Sequence, residues 1–303
     1  MNIVQKYCIA NRIWVVMLFV GFTSIILSII YKEGKYISQF RTLSMLCSTI
    51  LTITFSSLVN TYYDFLNGVD RVEIPSCDRT LFDYGITLQM LVKFSFVNIF
   101  GAFFFLIPIG FHPLAKETFT SLCLPIIIFL LLLSYFYTAP PIALKYRGLG
   151  ASGIVGACFF TPSLIYYSNT FTFGYHESEL VFPLSYACIM FCLFVYHGRT
   201  MKDIDTDISA GVKTHCVMLG KTGSYFVWFL IYFTAMFYCS YLSMIKSNIF
   251  LNLPWISLIP VQKIIRFTKE KREYNLKINN TVPKIPFLCM LSLAVGVLLG
   301  PNY

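Results

Sequence analysis

The chain has 303 residues, of which 57% are hydrophobic and only 12% charged, with a mean hydropathy of +0.70 and a formal net charge of +9. This composition excludes an ordinary soluble domain and a disordered segment, and it indicates a multi-pass membrane protein. No basic domain gathers the positive charge, so nucleic-acid binding is excluded as its purpose.

A bilayer core about 30 Å thick takes roughly 20 apolar residues per helix. In chain order the apolar stretches run over 14–31, 43–63, 88–109, 122–137, 153–167, 182–196, 225–244, 249–265 and 285–299. They predict an all-α membrane protein with about nine transmembrane helices around a central cavity. Residues 1–303 read as one membrane domain with two pseudo-halves, 10–140 and 141–303. The chain opens on polar Asn2, Gln5 and Lys6, and no small-residue cleavage site follows the first apolar run. That run is therefore read as a retained helix and not as a signal peptide. With the N-terminus inside, 18 Lys and Arg fall on the cytoplasmic side and five on the other, as the positive-inside rule requires. The ten cysteines are scattered without a CxxC pair, which indicates neither zinc nor a disulfide framework. The Asn279 sequon falls on the inner side and is expected to be unused.

Acidic residues are scarce and clustered. Eight of the 14 lie in two stretches: Asp64, Asp70, Glu73, Asp78 and Asp83, then Asp203, Asp205 and Asp207. A charge near lipid is costly unless it is paired, metal-bound or hydrated, and the topology puts both stretches on one face. Asn60 and Asp64 are four apart and share a helix face. Gly68 offers an end to that helix and lets Asp70 fold back towards the same place. Asp203 and Asp207 share a face in the same way. Oxygen donors of this kind suit Mg²⁺, which takes one or two carboxylates, waters and phosphate oxygens. Nearby Lys and Arg then complete a clamp for diphosphate. Glu73, Asp83 and Asp205 read as solvated or structural charges, and His197 as a packed or hydrogen-bonded residue. Between the motifs, Pro140 and Pro141 end a helix and Lys145, Arg147, Gly148 and Gly150 form a basic, flexible connector.

The wording of these motifs resembles the UbiA superfamily of intramembrane prenyltransferases. Asn60-x-x-x-Asp64 with Asp70 and Asp78-Arg79-Thr80-Leu81 resembles its first signature. Asp203-x-x-x-Asp207-x-x-x-Gly211-x-Lys213-Thr214 resembles its second. Tyr137-Thr-x-x-Pro141 and Lys145-Tyr146-x-x-Leu149-Gly150 resemble its middle loop. The longer gap to Asp70 is similar to the menaquinone-forming branch, its animal members above all. Three departures stand out: Arg199-Thr200 where the branch usually has Asn-Asn, Ala151 where it has an acidic residue, and two extra residues between Asp70 and Asp78.

The resemblance implies Mg²⁺-dependent transfer of a polyprenyl group, geranylgeranyl by expectation, from its diphosphate to a naphthoquinol-type ring in menaquinone (vitamin K2) synthesis. Asp64, Asp203, Asp207, Lys145 and Tyr137 are then the expected catalytic residues. Asn60, Asp64, Asp70, Asp78, Asp203 and Asp207 are the expected metal ligands, and Arg79, Lys145, Lys202, Lys213 and Arg147 the expected diphosphate contacts. Tyr62, Tyr63 and Tyr135 are further candidates for the cavity wall, with an interface-anchor role the stronger reading. The implied partners are the two substrates, the lipid bilayer and a regulatory protein, in the endoplasmic reticulum or Golgi. The competing readings are a regulatory protein that senses prenyl diphosphate, a benzoquinol prenyltransferase of the ubiquinone type, and an ion pathway.

Overall fold

Helix α1, Ile3–Ala10, begins where the Asn2 side chain accepts from the Gln5 amide and the Gln5 side chain accepts from the Asn2 amide, a reciprocal cap. It stops before Arg12, whose left-handed backbone (φ 50°) turns the chain into a 3₁₀ turn and then α2, Val16–Lys32. In chain order there follow α3, Gln39–Leu66; α4, Thr80–Asp83; α5, Leu88–Gly110; α6, Lys116–Thr118; α7, Leu124–Phe136; α8, Gly150–Thr170; α9, Gly174–Glu177; α10, Val181–Lys202; α11, Ile204–Ser209; α12, His215–Ile245; and α13, Lys284–Leu299. A computed structural model describes residues 1–73, 77–262, 282 and 284–301, and all its regular elements there are helical. Pro75, the Asn279 sequon and the basic run from Lys263 to Lys277 lie outside the described residues.

Each of the nine apolar stretches falls on a helix, although the last residues of 249–265 lie outside the described residues. Six helices are long and apolar enough to cross a membrane: Ile13–Lys32, Gln39–Leu66, Leu88–Gly110, Phe119–Phe136, Val181–Lys202 and His215–Ile245. The protein is an integral multi-pass membrane protein. The other three differ for visible reasons. Helix α8 carries buried polar Thr161, Ser163, Ser168 and Asn169. Residues Ile249–Ser257 wind as a 3₁₀ helix around Pro254. Helix α13 has only 16 residues.

Burial separates central from peripheral helices. The apolar windows of α10 and α3 are 67% and 61% buried within the protein, but those of α5 and Phe119–Phe136 only 28%. Helix α5 accordingly shows Phe96, Phe100, Phe104 and Ile107 to the outside, where lipid is the natural solvent. Helix α3 is central despite its polar face, which buries Ser48, Thr52, Asn60, Thr61 and Asp64. Thr49 and Thr52 donate to the carbonyls of Met45 and Ser48, so much of this polarity is satisfied within the helix itself. The polar groups of its last two turns belong to the site.

Candidate active site

Both acidic helices end the same way. At the end of α3 the Gly68 amide donates to Phe65 O (3.1 Å) and the Val69 amide to Asp64 O (2.8 Å). At the end of α11 the Gly211 amide donates to Ile208 O (3.1 Å) and the Val212 amide to Asp207 O (2.9 Å). Gly68 and Gly211 have φ +67° and +70°, a left-handed conformation that glycine takes without penalty. This double closure is the Schellman arrangement. It sets Asp64 and Asp207 at equivalent places, four residues before the glycine. The Asp70 amide also reaches back to Asp64 O at 3.2 Å, so the chain beyond Gly68 folds over the helix end as the spacing predicts.

These ends open on a cavity of about 500 Å³. Asn60, Asp64, Asp70, Asp78, Arg79, Tyr137, Lys145, Lys202, Asp203 and Asp207 all line it. Away from these ends the lining becomes mostly apolar, with Phe19 and Phe22 of α2, Leu130 and Leu133 of α7, Ile154 of α8 and Val195 of α10 among a few small hydroxyls such as Thr54 and Thr161. The cavity is thus charged at its mouth and oily within.

Asp64 is the carboxylate that joins α3 to the middle loop. Its Oδ2 accepts from Asn60 Nδ2 (2.7 Å) and Lys145 Nζ (2.6 Å), and its Oδ1 from the Tyr146 hydroxyl (2.8 Å). Burial disfavours the Lys145 ammonium, but the charge of Asp64 outweighs it and holds the lysine protonated above its usual range. Asp78 accepts from Arg12 (2.8 Å), Thr61 (2.9 Å) and the Thr80 hydroxyl and amide (2.6 and 3.0 Å). Burial opposes its ionisation, yet Arg12 keeps its carboxyl well below the usual range. Among the described residues Asp70 receives only the Asp78 amide, on Oδ1, and its buried Oδ2 has no partner. Burial, reinforced by the charges of Asp64 and Asp78, pushes its pKa up to about 7. Asp207 accepts from Thr214 (3.1 Å), and burial pushes its pKa up to about 6 against the pull of Lys145. Asp203 is half-buried, with Lys202 Nζ at 3.8 Å.

This donor set suits Mg²⁺. Its side-chain donors are oxygens, it contains an orphaned buried carboxylate oxygen, and burial raises the pKa of Asp70 and Asp207, which a nearby cation offsets. Among the described residues no three carboxylates converge on one point. That spread suits an ion that keeps several waters and shares its shell with phosphates.

Two expected diphosphate contacts do not reach the cavity. Arg147 is exposed in the 3₁₀ turn Leu144–Arg147 and donates to Pro141 O at 2.9 Å. Lys213 is exposed just past the Gly211 turn. Arg79 lines the mouth but is held by Asp83 (2.8 Å) and Val72 O. Tyr62, Tyr63 and Tyr135 line a separate crevice of about 300 Å³ beside α3, α5 and α7, leaving Tyr137 in the main cavity. Asp205 pairs with Lys221 on the surface at 2.7 Å. Sequence reasoning missed Arg12 and Tyr146 as site residues. Tyr146 stands in the quoted middle loop, but Arg12 shows only as one more basic residue before an apolar run. Arg199 and Thr200, the departures before the second motif, both line the cavity, and the Arg199 guanidinium lies 4.6 Å from the Trp14 ring centre.

A helical membrane protein with a carboxylate-rimmed, apolar-floored cavity is the class that fold and site define. The chain belongs to the UbiA prenyltransferase family, which it matches over residues 17–277. It is 28% identical over 294 residues to the UbiA prenyltransferase domain-containing protein 1 of Dictyostelium discoideum, covering 96% of this chain and 87% of that protein. Against the human protein of that name it is 28% identical over 253 residues, covering 81% and 69%. Its fold is similar to a UbiA homolog from Archaeoglobus fulgidus bound to GPP and Mg²⁺, with TM-score 0.63, 17% identity and coverage of 97% and 99%. A second neighbour is a UbiA homolog from Aeropyrum pernix K1, with TM-score 0.61, 10% identity and coverage of 99% and 98%.

Proposed function

We propose that the protein transfers a prenyl group, geranylgeranyl by preference, from its diphosphate to a ring carbon of a naphthoquinol-type acceptor, in menaquinone synthesis. The observation that carries this reading is the two-ended cavity: carboxylates and cations at the mouth, and a mostly apolar lining away from them. A prenyl diphosphate has the same polarity, a polyanion joined to a hydrocarbon. Family membership supports the reaction class.

In this reading Asp64, Asp70, Asp203 and Asp207, with Asn60, hold Mg²⁺. Bound there, Mg²⁺ supplies Lewis-acid stabilisation of charge on the departing diphosphate. Asp78, saturated by Arg12, Thr61 and Thr80, organises the loop and leaves ligation to the others. Lys202, Lys145 and Arg79 meet the phosphate oxygens with charged donors. The bond from prenyl C1 to oxygen breaks with its electron pair on the diphosphate, the ring carbon bonds to C1, and the ring then loses its proton. The π face of Tyr137 steadies the allylic cation in transit, and the apolar walls keep water from quenching it. The site loops and N-terminus face the cytoplasm, the side favoured by the distribution of basic residues, in the endoplasmic reticulum or Golgi.

The test is to incubate purified, folded protein with Mg²⁺, geranylgeranyl diphosphate and a panel of naphthoquinols and benzoquinols, reading product mass. A prenylated naphthoquinol is the expected product. A benzoquinol product in its place corrects the acceptor, and no prenylated product from any acceptor refutes the reaction.

A further inference from the structure

Behind the second acidic motif, away from the cavity lining, three side chains converge that the proposed reaction does not use. His197 comes from the last turns of α10, and His215 and Cys216 open α12. His197 and Cys216 are buried and His215 is half-buried. His197 Nδ1 lies 3.0 Å from His215 Nε2, which lies 3.3 Å from Cys216 Sγ, and Sγ lies 3.9 Å from His197 Nδ1. A triangle with these sides has a circumradius of about 2.0 Å, close to the length of a zinc–nitrogen bond and a little under that of a zinc–sulfur bond. A single ion displaced slightly from that plane reaches all three atoms.

We propose that His197, His215 and Cys216 form a zinc site that ties α10 to α12 behind the second acidic motif.

The hydrogen bonding of His197 supports it. His197 Nε2 lies 2.8 Å from Ser224 O, and a carbonyl only accepts, so Nε2 carries the proton and the Nδ1 lone pair faces the cluster. A metal-bound histidine is oriented in the same manner, through its second nitrogen. Nitrogen and sulfur donors select zinc over Mg²⁺, and binding releases the thiol proton. The fourth tetrahedral position is left to water.

The site is a strut. Thr214, one residue before His215, donates to Asp207. The His215 ring stacks on Tyr196, which lines the cavity, at 5.2 Å between centres. An ion here fixes both flanks of the segment that carries Asp203 and Asp207.

The experiment uses the full chain without a polyhistidine tag, purified in excess Mg²⁺ and titrated with Zn²⁺ and, separately, Co²⁺. About one tightly bound zinc per chain is expected by elemental analysis, with a thiolate-to-cobalt charge-transfer band in the Co²⁺ form. Outer-shell changes alone weaken metal sites about 10–100-fold, so Cys216→Ser should raise the Kd at least about tenfold and abolish the band. His215→Ala should weaken zinc by a similar factor. An Asp64→Asn/Asp203→Asn variant, altered only in the carboxylate site, should keep both the zinc and the band. Folded wild-type protein that binds less than a tenth of an equivalent and shows no band overturns the proposal. So does a band that survives Cys216→Ser, or zinc lost with the two aspartates.

Discussion

Replacing Lys145 by Met removes the only cation that, among the described residues, bonds to Asp64, a carboxylate 3% exposed. The ammonium lies 2.6 Å from Asp64 Oδ2, with side-chain exposures of 16% and 4%. Asn60 and Tyr146 still donate to Asp64, but both are neutral. Stranding one partner of a buried ion pair costs about 3–5 kcal/mol, whereas removing both charges together is often nearly neutral. For a domain of a few hundred residues each kcal/mol moves Tm by about 2–4 °C. Lys145→Met should therefore lower the Tm of metal-free protein by about 6–20 °C. Asp64→Asn/Lys145→Met should recover most of that loss. Seven of the ten cysteines are buried and all are free, so a thiol-reactive dye in detergent with EDTA reports unfolding directly. The coupling in the double-mutant cycle should be about 2–4 kcal/mol. Additive losses, with the double variant less stable than Lys145→Met alone, would show that the pair is not a buried unit and refute the reasoning.

Asp203→Asn or Asp207→Asn should cut prenylation at least about a hundredfold through lost charge at the metal, while membrane insertion and monodispersity are unchanged; near-normal turnover would remove these residues from the site. Between about pH 4 and 7 the unfolded chain has released protons that Asp70 and Asp207 keep in the metal-free fold. Fewer protons on the unfolded state make stability fall as pH rises, so metal-free Tm should drop from pH 5 to 8, and Asp70→Asn should remove much of that slope. Mg²⁺ should reverse the trend by binding the ionised carboxylates, raising Tm most at pH 8, and EDTA should cancel the effect. Arg12→Gln should leave Asp78 to Thr61 and Thr80 and cost about 1–3 kcal/mol, read as a lower Tm and faster proteolysis of the loop before α4.

Much of the site was legible because its logic is local. Asn60 and Asp64 sit one helical turn apart, and a glycine four residues after an aspartate marks a helix end in any context. Arg12 was not legible, since its partner Asp78 lies 66 residues away and nothing beside it in sequence is acidic. Tyr146 and Lys145 meet Asp64 across 82 and 81 residues, and only the family resemblance hinted at that closure. Arg147 and Lys213 show the limit of charge counting, because a basic loop residue reports its side of the membrane but not where its side chain points. Apolar runs located the long helices but not the short α1, α4, α6, α9 and α11, while the 3₁₀ winding at Ile249–Ser257 depends on packing about Pro254. The histidine–cysteine cluster escaped because its members are split between two helices, 18 residues apart at the histidines.

The paired Schellman ends have a consequence for how this chain tolerates changes of length. An inserted residue between Asp64 and Gly68, or between Asp207 and Gly211, rotates the carboxylate by about 100° relative to the capped end. A carboxylate so turned faces the packed helices or the outside instead of the cavity. In the stretch after Asp70 the same insertion adds only loop-closure entropy, about 0.6 kcal/mol for each doubling of the loop. The Asp70 to Asp78 hydrogen bond at 3.1 Å ties the two ends of that stretch together. Drift in length is thereby confined to the loop, and the distance from each aspartate to its glycine is the quantity the fold cannot relax.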